Sequence, residues 1–113
     1  MKTWVGSWAL FLDDERFPPV NFAQAYEEYR TARSVREATE MMELRGCPGF
    51  ISFDHDLGED QRTGLDLVKW MIHQDLEEDG KFIPRGFEFY VHSQNPIGKE
   101  NIEKLLEHYL RQR

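Results

Sequence analysis

Three short apolar runs in this chain each stop at acidic or histidine side chains. The runs cover residues 8–12 (WALFL), 49–53 (GFISF) and 87–91 (FEFYV). Runs of this length predict strands that are covered on both faces, as the strands of a parallel sheet are. Parallel strands need crossover connections, and helix signals lie between the runs. The alternation therefore predicts an α/β fold with a parallel sheet and helices on its faces.

The helix signals are capping sequences at three places. Ser34 and Glu37 form a capping box, in which each side chain can satisfy a free backbone amide of the first turn. Thr63 can cap a second helix in the same way. Asn95 followed by Pro96 predicts the start of a third, because proline is well suited to the first helical position.

The remaining elements are predicted from weaker patterns. Residues 29–33 are a candidate strand, and residues 22–29 are a candidate short helix after the break at Pro18 and Pro19. In the helix capped by Thr63, one apolar stripe is expected to be buried, with two apolar neighbours beside it. The stripe is Leu65, Val68, Ile72 and Leu76, and the neighbours are Leu67 and Met71.

Length and charge limit the class of protein. The 113 residues suit one domain spanning 1–113. With 14 basic and 21 acidic side chains the net charge is −7, so a broad nucleic-acid-binding surface is not expected. The single cysteine, Cys47, excludes an intrachain disulfide and suits a reducing compartment. No export signal and no run of about 20 apolar residues is evident, so a cytoplasmic protein without membrane contact is expected.

The charged residues that follow the apolar runs are the candidate site. In parallel sheets, ligands bind beyond the carboxyl ends of the strands. If the three strands are neighbours, their ends bring together four carboxylates, two imidazoles and a hydroxyl, from Asp13, Asp14, Asp54, His55, Asp56, His92 and Ser93. Four carboxylates in a partly dry pocket repel one another. A divalent cation with oxygen ligands, most simply Mg²⁺, would relieve that repulsion.

A helix start lies next to this cluster in the sequence. The free amides and the dipole of a helix N-terminus favour an anion such as phosphate. Asn95 is the predicted cap, Gly98 would allow a close approach, and Lys99 adds a positive charge. A metal on one side and a helix start on the other are typical of phosphate chemistry.

Each of these residues also has a structural interpretation. Asp13 and Asp14 can form a solvated turn after a strand, and Asp54 can cap the loop that follows it. A histidine at a strand end, such as His92, is more often structural than catalytic. Lys99 fits an exposed helix position. The hypothesis of a site depends on all three strand ends being charged at once.

Four segments, LFLDDER, FISFDHDLG, TGLDLVKWM and YVHSQNPIGKENI, resemble the cyclic-phosphate processing receiver domains of small phage and bacterial proteins. These are in turn similar to response-regulator receivers. The resemblance implies a receiver-like, flavodoxin-like three-layer sandwich. The chain has only about 20 residues after His92, so we expect a truncated parallel sheet of about four strands that lacks the fifth strand and the fifth helix.

The resemblance also implies roles for individual residues. Asp13 and Asp14 match the metal-binding acidic pair of receivers, Asp54 matches the phosphoacceptor, and Ser93 matches the Ser/Thr switch position. Asp56 would be an additional ligand or acid–base group. His55 and His92 have no counterpart in ordinary receivers, and the receiver lysine is missing unless Lys99 replaces it. This departure favours an enzyme or a binding site over a phosphorelay.

The resulting hypothesis is a metal-dependent phosphoesterase that acts on a cyclic or terminal phosphate, for example that of a nucleotide or an RNA end. Asp13, Asp14 and Asp54 or Asp56 would hold Mg²⁺ or Mn²⁺, and His92 or His55 would transfer protons. Asp54 is alternatively a nucleophile. Ser93, Asn95, Gly98 and Lys99 would bind the phosphate. The rivals are a non-catalytic sensing module and a phage accessory protein, and an open sheet edge near the last strand predicts a homodimer.

Overall fold

The computed structural model describes residues 8–26, 28–58 and 62–113. The strands are β1 (Ala9–Leu12), β2 (Tyr29–Ala32), β3 (Phe50–Phe53) and β4 (Glu88–Val91). The helices are α1 (Val20–Ala25), α2 (Val35–Arg45), α3 (Gly64–Glu77) and α4 (Pro96–Gln112). The strands form one parallel sheet in the order β2-β1-β3-β4. The prediction of a receiver-like α/β fold with a truncated sheet is confirmed.

Alternating side chains of the strands separate two hydrophobic clusters. Leu10, Leu12, Ile51 and Phe53 belong to the larger cluster, together with buried side chains of α2, α3 and α4. Ala9 and Phe11 belong to the smaller one, which Phe22 of α1 completes. Because successive residues of a strand point to opposite faces, one face of the sheet carries three helices, and α1 is the only described helix on the other. The three layers are therefore unequal.

Local hydrogen bonds at the helix starts follow the predicted caps. Ser34 Oγ accepts a bond from the amide of Glu37 at 3.1 Å. Thr63 forms a complete capping box with Asp66 at the start of α3. Asn95 Oδ1 accepts a bond from the amide of Gly98 at 3.0 Å, and Pro96 is the first residue of α4. These side chains satisfy amides that have no partner within the helix, which explains where the helices begin.

Two predictions are wrong in detail. A short helix is predicted at 22–29 after the break at Pro18 and Pro19, but α1 has six residues and begins at Val20, directly after the proline pair. In α3, Leu76 is 63% exposed, while Leu67, Val68, Met71 and Asp75 are buried. The buried face is displaced because α3 packs against both α2 and α4, which a single apolar stripe does not reveal. Part of the predicted polar loop at 58–62 lies outside the described residues.

The buried Asp75 lies on this displaced face and has partners for both of its carboxylate oxygens. Its Oδ1 accepts bonds from the amides of Phe82 and Ile83, at 3.0 and 2.7 Å. Its Oδ2 accepts from the Tyr109 hydroxyl at 2.6 Å and from Arg113 Nη1 at 3.2 Å. A buried carboxylate needs such partners. The network joins α3, the segment after it and the end of α4. Within the described residues, no helix is both long enough and apolar enough to cross a membrane.

Candidate functional site

The register of the sheet brings three side chains together at the carboxyl ends of β1, β3 and β4. Leu12 is paired with Phe53, and Phe53 with Val91, so the residues that follow them lie in one row. These are Asp13, Asp54 and His92. The amide of Asp54 bonds to the carbonyl of Leu12 at 3.0 Å, and the amide of His92 to that of Phe53 at 2.9 Å. The backbone of the sheet therefore determines the spacing of the site.

Ligand atoms of Asp13, Asp54 and His92 all lie within 4.8 Å of one another. Asp13 and Asp54 are buried, with 1% and 7% of their surface exposed, and His92 is half-buried. Asp13 and Asp54 come two residues after Phe11 and Ser52, so their side chains point to the same face of the sheet, the face that carries α1. His92 contacts both Phe11 and Ser52 and therefore lies on that face as well. The predicted convergence of strand ends thus has a geometrical basis in the structure.

His92 is held on three sides. Its ring is stacked on that of Phe11, with centroids 4.6 Å apart and the planes inclined by 2°. Its Nε2 lies 3.0 Å from Asp13 Oδ2, and its Nδ1 lies 2.7 Å from Ser52 Oγ. Burial lowers the pKa of His92 from its ordinary value of 6.5, against the opposing effect of Asp13 and Asp54. The neutral ring therefore donates from Nε2 to the carboxylate and accepts the Ser52 hydroxyl at Nδ1.

Asp13 has partners for both of its oxygens. Its Oδ1 accepts bonds from the amides of Glu15 and Arg16, each at 2.9 Å. Its Oδ2 contacts His92 and lies 3.7 Å from Arg16 Nε. Burial alone would raise the pKa of Asp13, but the two amides and His92 outweigh it, so that the pKa is lowered. Asp13 is therefore an ionised, buried carboxylate.

The pKa of Asp54 is shifted in the opposite direction to that of Asp13. Burial raises its pKa, and the negative charge of Asp13 raises it further. Contacts with His92, a hydrogen bond to Ser93 and the amide of His55 oppose this increase only in part. A second carboxylate next to an ionised one is stabilised by a cation. The oxygen donors of Asp13 and Asp54 fit a hard divalent cation such as Mg²⁺ or Mn²⁺.

An open polar cleft of about 340 Å³ adjoins these residues. Its lining includes several of the predicted site residues but not His55. The lining residues that matter here are Asp14, Arg16, Asp54, Asp56, Gly58, Ser93 and Asn95. Gly58 has a φ of +61°, and a Cβ at this position would overlap the carboxylate of Asp14. A glycine is required here both by the backbone conformation and by the close approach of Asp14. The loop after β3 therefore packs against Asp14, the second acidic residue after β1, which lines the cleft.

His55 and Asp56 form a separate pair at the edge of the cleft. His55 Nδ1 lies 2.8 Å from Asp56 Oδ1, and Asn95 Nδ2 donates to Asp56 Oδ2 at 3.2 Å. The bond from His55 lowers the pKa of Asp56, and the bond from Asn95 adds to this effect. The His55 ring lies directly on Gly98, where any Cβ would overlap it. Among the residues that the structure describes, none bonds to His55 Nε2.

The helix start differs from the expectation for a phosphate site. The amide of Gly98 is already bonded to the side chain of Asn95, and the absence of a side chain at Gly98 makes room for His55. Lys99 lies over the ring of Tyr90, with its Nζ 5.8 Å from the ring centroid. Ser93 and Asn95 line the cleft, whereas Gly98 and Lys99 are not part of its lining. Their role in phosphate binding stays a prediction.

Three side chains at the candidate site escaped the sequence analysis. Arg16 lines the polar cleft and also a second, larger cleft. Arg33 donates from Nη1 to the backbone carbonyls of Asp13 and Arg16, at 3.0 and 2.6 Å, and so fixes the loop after β1. Ser52 positions His92 from inside a strand. The one polar residue in the run FISF was a signal for Ser52, whereas nothing local distinguished Arg33.

Comparison with known proteins agrees with this architecture. A family described as "Cyclic-phosphate processing Receiver domain" matches residues 8–108. The match includes all four strands and every site residue discussed above. In the same comparisons, no curated protein and no solved structure matched the chain significantly.

Proposed function

Since the chain belongs to the family of cyclic-phosphate processing receiver domains, we propose that it is a metal-dependent phosphoesterase acting on cyclic or terminal phosphates. The observation that carries this proposal is the grouping of Asp13, Asp54 and His92, whose ligand atoms lie within 4.8 Å of one another beside a polar cleft. Buried acids are costly without a counter-charge, so a grouping of this kind supports a site rather than a turn.

The cation would be held by Asp13 and Asp54, and Asp14 lies in the lining of the same cleft as Asp54. A bound Mg²⁺ or Mn²⁺ would neutralise phosphoryl oxygens and make a water molecule more acidic. The side chains of Ser93 and Asn95 would donate hydrogen bonds to the phosphate from the wall of the cleft. Arg16, on the rim, would supply the positive charge that the receiver lysine supplies elsewhere.

The two histidines would have different tasks. Both ring nitrogens of His92 are engaged within the protein, so His92 acts as a positioning residue that orients the carboxylate of Asp13. His55 is oriented by Asp56 through Nδ1, which leaves its Nε2 to accept or return a proton. A carboxylate–imidazole pair of this kind is a common acid–base arrangement. Asp54 is the alternative nucleophile, in place of the water molecule.

The test is a phosphate-release screen of cyclic nucleotides and RNA ends in Mg²⁺, in Mn²⁺ or with a chelator. We expect turnover with one of the metals and none with the chelator. His55→Ala should lower kcat by about 100-fold or more, whereas His108→Ala, at an exposed position of α4, should not. Full activity in chelator, or in His55→Ala, would contradict the proposed mechanism. No release from any substrate would contradict the proposed function.

A second candidate is a sensing module that binds a phosphorylated ligand without turnover. The specific observation in its favour is that Asp13, His92 and Ser52 already satisfy one another through a continuous chain of hydrogen bonds. Such a chain is stable without a metal. Calorimetric binding of a phosphate ester in the presence of Mg²⁺, with no product after prolonged incubation, would favour this candidate.

A further inference from the structure

A large aromatic cleft lies on the face of the sheet that only α1 covers. It has a volume of about 820 Å³ and wraps around the outer edge of β4. This volume is in the range of small-molecule sites, which are usually lined by aromatic side chains with a few polar groups. The rings in its lining that matter here are Phe17, Phe22, Tyr26, Phe50, Phe89 and Tyr90.

Several of these rings are accessible. Phe17 is 81% exposed and Tyr90 is 58% exposed, although both are large side chains. Tyr26 and Phe50 are stacked on each other, with centroids 5.3 Å apart, and are only half-buried. Exposed rings in a concave surface favour a planar ligand that can stack on them.

The aromatic cleft is continuous with the candidate site. His92 and Ser52 line it, and His92 has a ring nitrogen within 4.8 Å of the carboxylate of Asp54. Arg16 lines both the aromatic cleft and the polar cleft that contains Asp54 and Ser93. A ligand whose phosphate lies at Asp54 would therefore have the rest of its structure directed along this surface.

The charges of the aromatic cleft restrict that ligand. Arg16 is the one basic residue in the described lining, and it lies at the end next to the site. The acidic residues of the lining are Glu88, Glu103 and Glu107, which come from β4 and the middle of α4. A ring with amino groups is compatible with carboxylates, whereas additional phosphates would be repelled by them.

We propose that the aromatic cleft binds the base of a nucleoside whose single phosphate lies at the polar cleft, so that mononucleotide cyclic phosphates are preferred over longer RNA ends. The observations behind this are the exposed rings, the continuity through His92 and Arg16, and the acidic far end. The proposal rests on the proposed function for the location of the phosphate, but the recognition of the base depends on the aromatic cleft alone.

The test compares three substrates in Mg²⁺ or Mn²⁺. They are adenosine 2′,3′-cyclic phosphate, the ring-free glycerol cyclic phosphate, and a short oligoadenylate that ends in the same cyclic phosphate. We expect kcat/KM to be highest for the mononucleotide. Tyr90→Ala and Phe17→Ala should each reduce the preference for the mononucleotide over the glycerol compound by roughly tenfold, the usual effect of losing one stacked ring. Tyr90→Phe should retain the preference, because it keeps the ring.

Leu44→Ala is the matched control, since Leu44 is 88% exposed and lies on α2, away from the aromatic cleft. It should leave the preference unchanged. Equal kcat/KM for the mononucleotide and the glycerol compound, or faster turnover of the oligonucleotide, would overturn the inference without affecting the proposed function. The inference is also overturned if the two alanine variants change only the sedimentation of the protein, because the cleft would then be a protein contact.

A binding experiment separates the two proposals. Saturation-transfer NMR with unphosphorylated adenosine detects base binding without turnover. A signal that Tyr90→Ala weakens and Leu44→Ala does not would support the aromatic cleft even if no phosphate were released from any substrate. Release from all three substrates with no adenosine signal would support the phosphoesterase and overturn the base site.

Discussion

Nε2 of His92 lies 3.0 Å from Oδ2 of Asp13, a contact between residues 79 positions apart in the chain. It joins the carboxyl end of β4 to that of β1 across β3, which lies between them. The same imidazole is stacked on Phe11 and bonded to Ser52, so it has little freedom to move. A buried carboxylate with a fixed orientation is what a metal ligand requires. His92 thus orients the carboxylate of Asp13 for its proposed role as a metal ligand.

Asp54→Asn should raise the melting temperature of the metal-free protein. The raised pKa of Asp54 means that its ionisation is unfavourable in the folded state, because of burial and of the charge on Asp13. An acid whose folded pKa is raised lowers stability as the pH increases through the window above its ordinary value of 3.8. That cost is present at neutral pH, and asparagine removes it. Thermal unfolding with a chelator measures the difference.

The same variant should lose its response to metal. A metal at 100 times its Kd stabilises a folded protein by about 2.7 kcal/mol, and Mn²⁺ or Mg²⁺ should produce such an increase in wild type. Glu43→Gln removes an exposed acid of α2 and is the control, which should behave as wild type in both measurements. An unchanged metal response in Asp54→Asn would show that this carboxylate is not a ligand.

Gly58→Ala should weaken metal binding more than its effect on stability explains. The new Cβ would displace the carboxylate of Asp14, and the φ of +61° also disfavours alanine. Gly80→Ala is a matched control, because Gly80 has a φ of +78° with no atom within 4 Å of the added Cβ. Both variants should lose about 1 kcal/mol of stability. Equal metal affinities, measured by calorimetry, would exclude a role for Asp14 at the metal.

The pH dependence of stability should contain a contribution from His92. Burial lowers its pKa, so the folded protein keeps a neutral imidazole where the unfolded chain, with its ordinary value of 6.5, binds a proton. The contribution is therefore complete above about pH 6.5 and is lost as the pH falls. His92→Gln should flatten this part of the curve in urea unfolding between about pH 5 and pH 8, whereas the exposed His108→Gln should not. Parallel curves for His92→Gln and wild type would contradict the prediction.

Asp75→Ala should destabilise the fold by about 3 kcal/mol without direct contact with the site, because it leaves Arg113 partly buried without its carboxylate. Urea unfolding measures this loss, and Glu78→Ala, at an exposed position, is the control. A variant that loses less stability than the control would show that the network is not structural.

In the wild type, burial and Asp75 raise the pKa of Tyr109 to about 12. The corresponding stability should be lost between about pH 10 and pH 12, as the unfolded chain ionises first.

Much of the architecture could be predicted because its causes are local. The capping bonds of Ser34, Thr63 and Asn95 join residues three positions apart, and the apolar runs identify three of the four strands. The identity of the charged residues after each run also follows from the sequence. Local patterns failed at α1 and at Leu76, where the packing of neighbouring elements decided which residues are helical or buried.

The sequence alone determined the order of strands and helices and the chemical groups at the strand ends, since periodicity and capping act within a few residues. Only the tertiary structure decided which of these groups meet. The strand order places β3 between β1 and β4, and the register aligns Leu12, Phe53 and Val91, so Asp13 can contact His92. The same long-range pairing determines two further contacts. Ser52 bonds to the imidazole of His92, and Arg16 lines both clefts. No local rule encodes contacts between residues so distant in the chain.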